Sequence, residues 1–477
     1  MIDQANLRNP LRWYGLALLM GVLLSLGVGD PFGKFQAQRF AELIPALALL
    51  AWCYRRQPPT VFTNPAIGGW YGLGLLGFAL TTLAAGFLGP IPWISIGFLG
   101  LVLLQFGLLP WIQPVWQRHG EDGIRILALL AVALIGVDVG ILVIAQASEI
   151  SAYAWVVRIL PGQRPDAFPY LFLNTRWANQ AALLLLWVFL PLLEQLRVGE
   201  IRRRRWFWWG ICLAIPALAM LQFVFTAGRG ALLATSLAVL ALWLGSGRAE
   251  GDRRQMLRLG VLIMLVAALV ALLLNLVIDQ GSLLSSIALR NARDLSLDGG
   301  ADDRRILLWG AFARGVWAHG FWGQGIPAVA SGAAACTPHN LWLALVFWSG
   351  WLGTGFAGLL ATGFVPGRWR CSGCQMMALP VLISLLVYPL VDDLWLRSLS
   401  LALLLVLLPA LKQPDSPDSI RSQPRWLRAF AFPLSTYRLL ALIGVLLISL
   451  ALAVPGGVGF RPSDLVSVPG RVCLLFF

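Results

Sequence analysis

The stretch Phe225–Thr235, FTAGRGALLAT, sets one arginine, Arg229, between two glycines in the middle of otherwise apolar sequence. The apolar residues around it number roughly forty, enough for two bilayer spans of about twenty each. Arg229 therefore falls at or near the turn between two membrane helices. An arginine near hydrocarbon costs about 2.5–3.5 kcal/mol at mid-membrane, so something must offset that cost. On the arginine alone two readings stand open: a guanidinium that snorkels to lipid headgroups, and one that holds an anionic ligand.

The whole chain has the same character. It is 477 residues long, 58% hydrophobic and only 12% charged, with mean hydropathy +0.77. That balance belongs to a polytopic, all-α membrane protein and excludes a soluble globular domain. The net charge of +14 comes almost entirely from arginine, since Lys34 and Lys412 are the only lysines. Such an excess suits nucleic acid or anionic lipid, but here it follows the cytoplasmic-loop bias of membrane proteins, and no nucleic-acid partner is expected. The first apolar stretch, Trp13 to Val28, lacks a small-residue cleavage site, so no cleavable signal peptide is expected.

Apolar stretches of helical length run over 13–29, 38–54, 70–88, 91–112, 124–146, 177–196, 206–225, 229–246, 259–278, 339–365, 375–390, 394–411 and 438–455. They predict a helical bundle of 12–13 transmembrane helices. If the N-terminus is cytoplasmic, successive cytoplasmic loops carry Arg55 and Arg56, Arg118 and Arg125, Arg197 with Arg202–Arg205, then Arg248, Arg253, Arg254 and Arg258. Arg368 and Arg370, and then Lys412 with Arg421, Arg425 and Arg428, complete the series. Every loop that should be basic is basic, which places the N-terminus inside and the C-terminus outside. Two outer loops are long, one from Ala147 to Arg176 and one from Asp279 to Pro338. The second holds an amphipathic piece, Asp302 to His319, read as a short helix on the membrane surface.

This topology sorts the polar residues. Arg229 starts a helix descending from the outer face, and TPHNLWLALVFWSGWLGTG, Thr337 to Gly355, starts another from the same face. Thr337 can cap that second helix and Pro338 suits its first turn, leaving His339 and Asn340 in the turn itself. Helix N-termini carry free N–H groups and a positive dipole end, which favours anions and a neutral, proton-accepting histidine. A phosphate-binding arginine and a candidate base thus share one membrane face. The alternative for His339 is an interfacial histidine bonded to a carbonyl. His119 falls on the cytoplasmic side, and His319 has no recognisable context.

Four segments in this order resemble the O-antigen ligase and polymerase superfamily of membrane proteins. They are FLNTRWANQAALLL (Phe172–Leu185), TAGRGALLA (Thr226–Ala234), RRILLWGAFARGVWAHGFWGQG (Arg304–Gly325) and HNLWLALVFWSGWLG (His339–Gly353). The resemblance covers roughly 170–365; the rest of the chain matches only in hydropathy. It divides the chain into N-terminal helices 1–168, a ligase-like core 169–366 with its periplasmic loop 279–338, and C-terminal helices and tail 367–477.

The resemblance implies transfer of a glycan from undecaprenyl diphosphate at the periplasmic face of a bacterial inner membrane. The acceptor would be the lipid A core, a second lipid-linked glycan, or a protein hydroxyl, with membrane lipids as surroundings. It implies Arg229 and His339 as catalytic residues, with Arg305, Arg304, Arg176 and Asn340 binding substrate and Arg314 as an unanchored addition. No metal or cofactor is expected: the diphosphate is already an activated leaving group, and no phosphate-cradling G-x-x-x-x-G-K occurs. Fixed guanidinium groups would neutralise the departing charge, and a histidine would activate the attacking hydroxyl.

Other signals are weaker. Asp392 and Asp393, expected at the same face, can orient a histidine or an arginine, or form a solvated turn. CSGC at 371–374 is one CxxC without the further ligands zinc needs. Cys336 and Cys473 both fall on the outer side, where a disulfide would persist. The 22 tryptophans read mainly as interfacial belts, with some available for stacking on sugars. A transporter of an anion or lipid-linked sugar is the competing reading, because intramembrane charges mark pathways as well as active sites. Against it, the distinctive polar residues gather at one face and no paired broken helices are evident.

Overall fold

The computed structural model is an all-α polytopic membrane bundle. It describes residues 10–24, 43–51, 69–89, 92–147, 175–199, 201, 204–226, 228–249, 251–278, 305–326, 328, 330–331, 338, 340–362, 372–390, 403, 407 and 424–453. Its helices are α1 (Pro10–Leu24), α2 (Gly69–Leu88), α3 (Pro92–Ala147), α4 (Thr175–Leu186), α5 (Phe189–Val198), α6 (Arg205–Phe225) and α7 (Arg229–Arg248). Then follow α8 (Gly251–Ile278), α9 (Arg305–His319), α10 (Leu341–Thr362), α11 (Ser372–Val387), α12 (Arg425–Arg428) and α13 (Leu434–Ala453). Among the described residues, 8 stretches are long and apolar enough to cross a membrane, and the shorter apolar helices Leu11–Leu23, Met377–Leu390 and Ser435–Ala451 accompany them.

The chain forms two compact units, each discontinuous in sequence. The first comprises Met1–Pro45, His119–Asp298 and Trp369–Tyr388; the second comprises Ala46–Arg118, Gly299–Arg368 and Pro389–Phe477. Residues 169–366 therefore contribute to both.

In the first unit, α5 runs antiparallel to its neighbours, because its C-terminal end meets their N-terminal ends. Arg205 donates to the Leu196 carbonyl at 3.1 Å, and Arg197 pairs with Asp252 at 3.3 Å. Further along, the Cys212 thiol reaches the Phe189 carbonyl at 3.6 Å, while Gly260 lies against Leu190. The apolar run 177–196 is interrupted rather than continuous, since Trp187 and Val188 form a turn between α4 and α5. Trp187 is fully buried, and its indole N–H donates to Ser384 Oγ at 3.0 Å, fixing that turn to α11. Gly199, at φ +83°, ends α5 with its N–H on the Gln195 carbonyl; glycine takes that left-handed position without a Cβ penalty.

The second unit is built on close helix approach. Gly74 and Gly77 of α2 face Leu360 and Phe356 of α10, and Gly100 and Gly107 of α3 face Gly444 and Ala441 of α13. Small residues let membrane helices pack backbone to backbone, where apolar burial from water gives no drive.

Two expectations need correction. Residues 113–123 do not separate two helices: α3 runs unbroken from Pro92 to Ala147, and the two expected spans lie within it. The charges there suit a helix, since Arg125 pairs with Asp122 (3.4 Å, i,i+3) and Glu121 (3.7 Å, i,i+4), the spacings that support helix. Likewise α8 begins at Gly251, so Arg253, Arg254 and Arg258 are on its first turns and not in a loop.

Candidate functional site

The Arg229 turn is built by hydrogen bonds that end one helix and start the next. The Thr226 N–H donates to the Gln222 carbonyl at 3.1 Å, the Gly228 N–H to the Phe223 carbonyl at 2.8 Å, and the Leu232 N–H to the Gly228 carbonyl at 2.9 Å. Gly228 is the N-cap of α7, with no side-chain cap. The Thr226 hydroxyl makes a three-centre bond, to the Gln222 carbonyl at 2.6 Å and to Asn179 Oδ1 at 3.0 Å. A Cβ on Gly228 would lie 2.6 Å from Asn179 Nδ2, so only glycine lets the turn approach α4 this closely. The NTRWANQ and TAGRG segments are therefore in contact within the first unit.

Polar side chains crowd beneath this turn. Asn179, Gln180, Gln222, Thr226 and Thr235 are all buried. Among the described residues neither Oε1 nor Nε2 of Gln222 has a hydrogen-bond partner. Arg229, the first residue of α7, is partly exposed, and no described residue bonds or pairs with its guanidinium. A helix N-terminus that carries a free guanidinium over buried amides can hold an anion by charge and by N–H donation.

The other expected site residues are spread over both units. Arg176 is on the first turn of α4 and Arg305 begins α9, with their side chains outside the described residues. Arg304, His339, Thr337, Asp392, Asp393, Cys336, Cys371 and Cys473 lie outside the described residues altogether. Arg314 and His319 are exposed on α9.

Asn340, not Thr337, caps α10. Its Oδ1 accepts the Leu343 N–H at 3.1 Å, and its carbonyl accepts the Ala344 N–H at 2.9 Å. Asparagine is among the strongest N-caps because its short amide reaches the N3 N–H. Two residues earlier, the Pro338 carbonyl accepts the Trp309 indole N–H at 2.8 Å, which ties α9 to the start of α10.

Helix α10 is interrupted at Gly350, at φ +68° and ψ 179°. The segment Gly320–Ile326 fills the interruption. Gln324 and Gly325 donate to the Phe347 and Trp348 carbonyls, each at 2.9 Å, and the Trp351 N–H returns to the Gly320 carbonyl at 2.9 Å. Ser95 of α3 holds the same segment from the other side, donating to the Ile326 carbonyl at 2.6 Å and accepting its N–H at 3.1 Å. Gly323 and Gly325 both have positive φ, which the close backbone approach requires. Irregular backbone beside apolar spans must have its polar groups satisfied; here the Gly320–Ile326 segment and the broken helix satisfy each other.

Several of these residues escape a reading by motif. Asp138 is buried at 8% exposure in the apolar stretch Gly120–Val143, and Gln105 and Gln222 are buried in other spans. Their shared signal is a polar residue inside an apolar run.

Comparison of the chain with protein-family models, with curated proteins and with solved structures gives no match.

Proposed function

We propose that this membrane protein transfers a glycan from undecaprenyl diphosphate to an acceptor hydroxyl, the lipid A core, at the periplasmic face of a bacterial inner membrane. The polymerase acceptor, a second lipid-linked glycan, and a protein hydroxyl use the same chemistry. The observation that carries the reading is the Thr226–Asn179 contact, which joins two of the four family-like segments beside Arg229, whose guanidinium has no partner among the described residues. In the reaction, a bond forms between the acceptor oxygen and the anomeric carbon as the bond from that carbon to the diphosphate oxygen breaks. The acceptor proton passes to His339, a step such a base typically accelerates by about 10²–10⁴-fold. Arg229, with Arg305, Arg304 and Arg176, neutralises the departing diphosphate. In-line displacement inverts the anomeric centre.

The test is transfer by the purified full-length protein in liposomes, supplied with undecaprenyl-diphosphate-linked glycan and lipid A core. Inverted product from wild type and none from Arg229→Ala supports the reading; retained configuration, or full activity of the variant, defeats it.

A second reading, transport, is favoured by the interruption of α10 at Gly350 and by buried Asp138, since broken helices and buried carboxylates mark transport paths. Against it, the Phe347 and Trp348 carbonyls at the break already accept from Gln324 and Gly325. Protein-dependent accumulation of a labelled anion or lipid-linked sugar, without glycan transfer, would establish it.

A further inference from the structure

At the end of the first unit where α5 stops and α6 and α8 begin, positive charge outruns its internal partners. The sequences 197–205 and 248–258 hold nine arginines against three acidic residues. Among the described residues three of these arginines are engaged within the protein. Arg197 pairs with Asp252 and bonds Gln255, Arg205 donates to the Leu196 carbonyl, and Arg254 donates to the carbonyls of Ser246 and Gly247 at 3.3 and 3.0 Å, closing the end of α7. Arg204, Arg253 and Arg258 are exposed, and no described residue bonds or pairs with their guanidinium groups.

Beside them Trp206 is 79% exposed and Phe207 38% exposed, both in the first turn of an apolar span. Exposed tryptophan at a span end sits at headgroup depth. That depth puts Arg204, Arg253 and Arg258 level with lipid phosphates, at the start of α6 and in the first turns of α8. A nucleic-acid partner would need these groups clear of the bilayer, which the adjoining aromatic pair does not allow.

We propose that Arg204, Arg253 and Arg258, flanked by Trp206, form a binding surface for anionic phospholipid headgroups. The attraction is between unpaired guanidinium groups and headgroup charge, worth roughly fivefold in affinity per residue near an anionic surface. The three together give on the order of a hundredfold preference over a zwitterionic lipid.

The full-length protein, purified in neutral detergent, is tested by native mass spectrometry with equal amounts of phosphatidylglycerol and phosphatidylcholine. Wild type should retain phosphatidylglycerol at least tenfold over phosphatidylcholine, with the preference falling as sodium chloride is raised. Arg204→Gln, Arg253→Gln and Arg258→Gln combined should lose most of it. The combined lysine variant, which keeps the charge, should hold it, as should Arg314→Gln with Arg425→Gln and Arg428→Gln, which removes equal charge elsewhere. Equal retention of the two lipids by wild type, or an unchanged preference in the triple glutamine variant, overturns the proposal. A loss of preference as large in the Arg314, Arg425 and Arg428 variant overturns it too, because net charge rather than this surface would then be responsible.

Discussion

The Thr226 hydroxyl lies 3.0 Å from Asn179 Oδ1, with both residues buried. One contact thereby fixes the start of α4 against the turn that carries Arg229. Thr226→Val keeps the shape and removes the hydroxyl, leaving the Asn179 carbonyl oxygen without it. Hydrogen bonds between membrane helices average about 0.6 kcal/mol, with a maximum near 1.7, so we predict a loss of roughly 1 kcal/mol. Thermal unfolding of the full-length protein in detergent measures it; Thr226→Ser should restore wild-type stability.

Gly228→Ala drives a methyl into the Asn179 amide. Overpacking of that kind costs about 1–3 kcal/mol, and the proposed glycan transfer should fall with it because the Arg229 turn must move. Gly245, inside α7, has nothing within 4 Å of an added Cβ. Gly245→Ala should be neutral, or more stable by about 0.5–1 kcal/mol, the ordinary gain of alanine over glycine inside a helix. Unfolding of the two variants side by side separates turn packing from helix propensity.

At Gly350 the backbone is left-handed and an added Cβ would meet the Phe321 carbonyl. Gly350→Ala should therefore displace the Gly320–Ile326 segment and lower the yield of folded protein sharply. Ser95→Ala, which removes both bonds to Ile326, should cost about 1–3 kcal/mol. Protease sensitivity between α9 and α10 should rise in both; unchanged digestion would contradict the segment's anchoring role.

Asn340→Ala should destabilise by about 1 kcal/mol through the lost cap, and Asn340→Asp or Asn340→Ser should recover most of it. If Asn340 also binds substrate through its amide, the Asp variant will be stable yet raise KM. Steady-state transfer kinetics set beside unfolding data distinguish the two roles.

The spans flanking Arg229 were legible in the sequence because punctuation is strong there. Runs expected at 206–225 and 229–246 appear as Arg205–Phe225 and Arg229–Arg248, with Arg205 and Arg248 at their far ends and the Gly228 turn between. Residues 113–123 misled because charge in a membrane protein reads as loop, whereas Glu121, Asp122 and Arg125 pair along one helix surface. The cap of α10 moved from Thr337 to Asn340 because both are good capping residues, and their order alone does not choose between them. The interruption at Gly350 was not legible, since glycine is ordinary in membrane helices; its break depends on the Gly320–Ile326 backbone supplied from outside α10. Of the candidate site, topology puts the NTR and GRG segments at one face, but their contact through Asn179 and Thr226 was not legible, and the buried Gln222 amide beneath them belongs to none of the four segments.

The most direct measurement is deletion of the gene in its host, followed by analysis of lipopolysaccharide and of the lipid-linked glycan pool. Complementation with wild type, Arg229→Ala and His339→Ala completes it, with membrane insertion of each variant checked by immunoblot. The account predicts bare core with polymer accumulating on undecaprenyl diphosphate, restored by wild type and by neither variant. Core bearing a single repeat would instead indicate the polymerase acceptor. Unchanged surface glycans, or full complementation by both alanine variants, would contradict glycan transfer at Arg229 and His339.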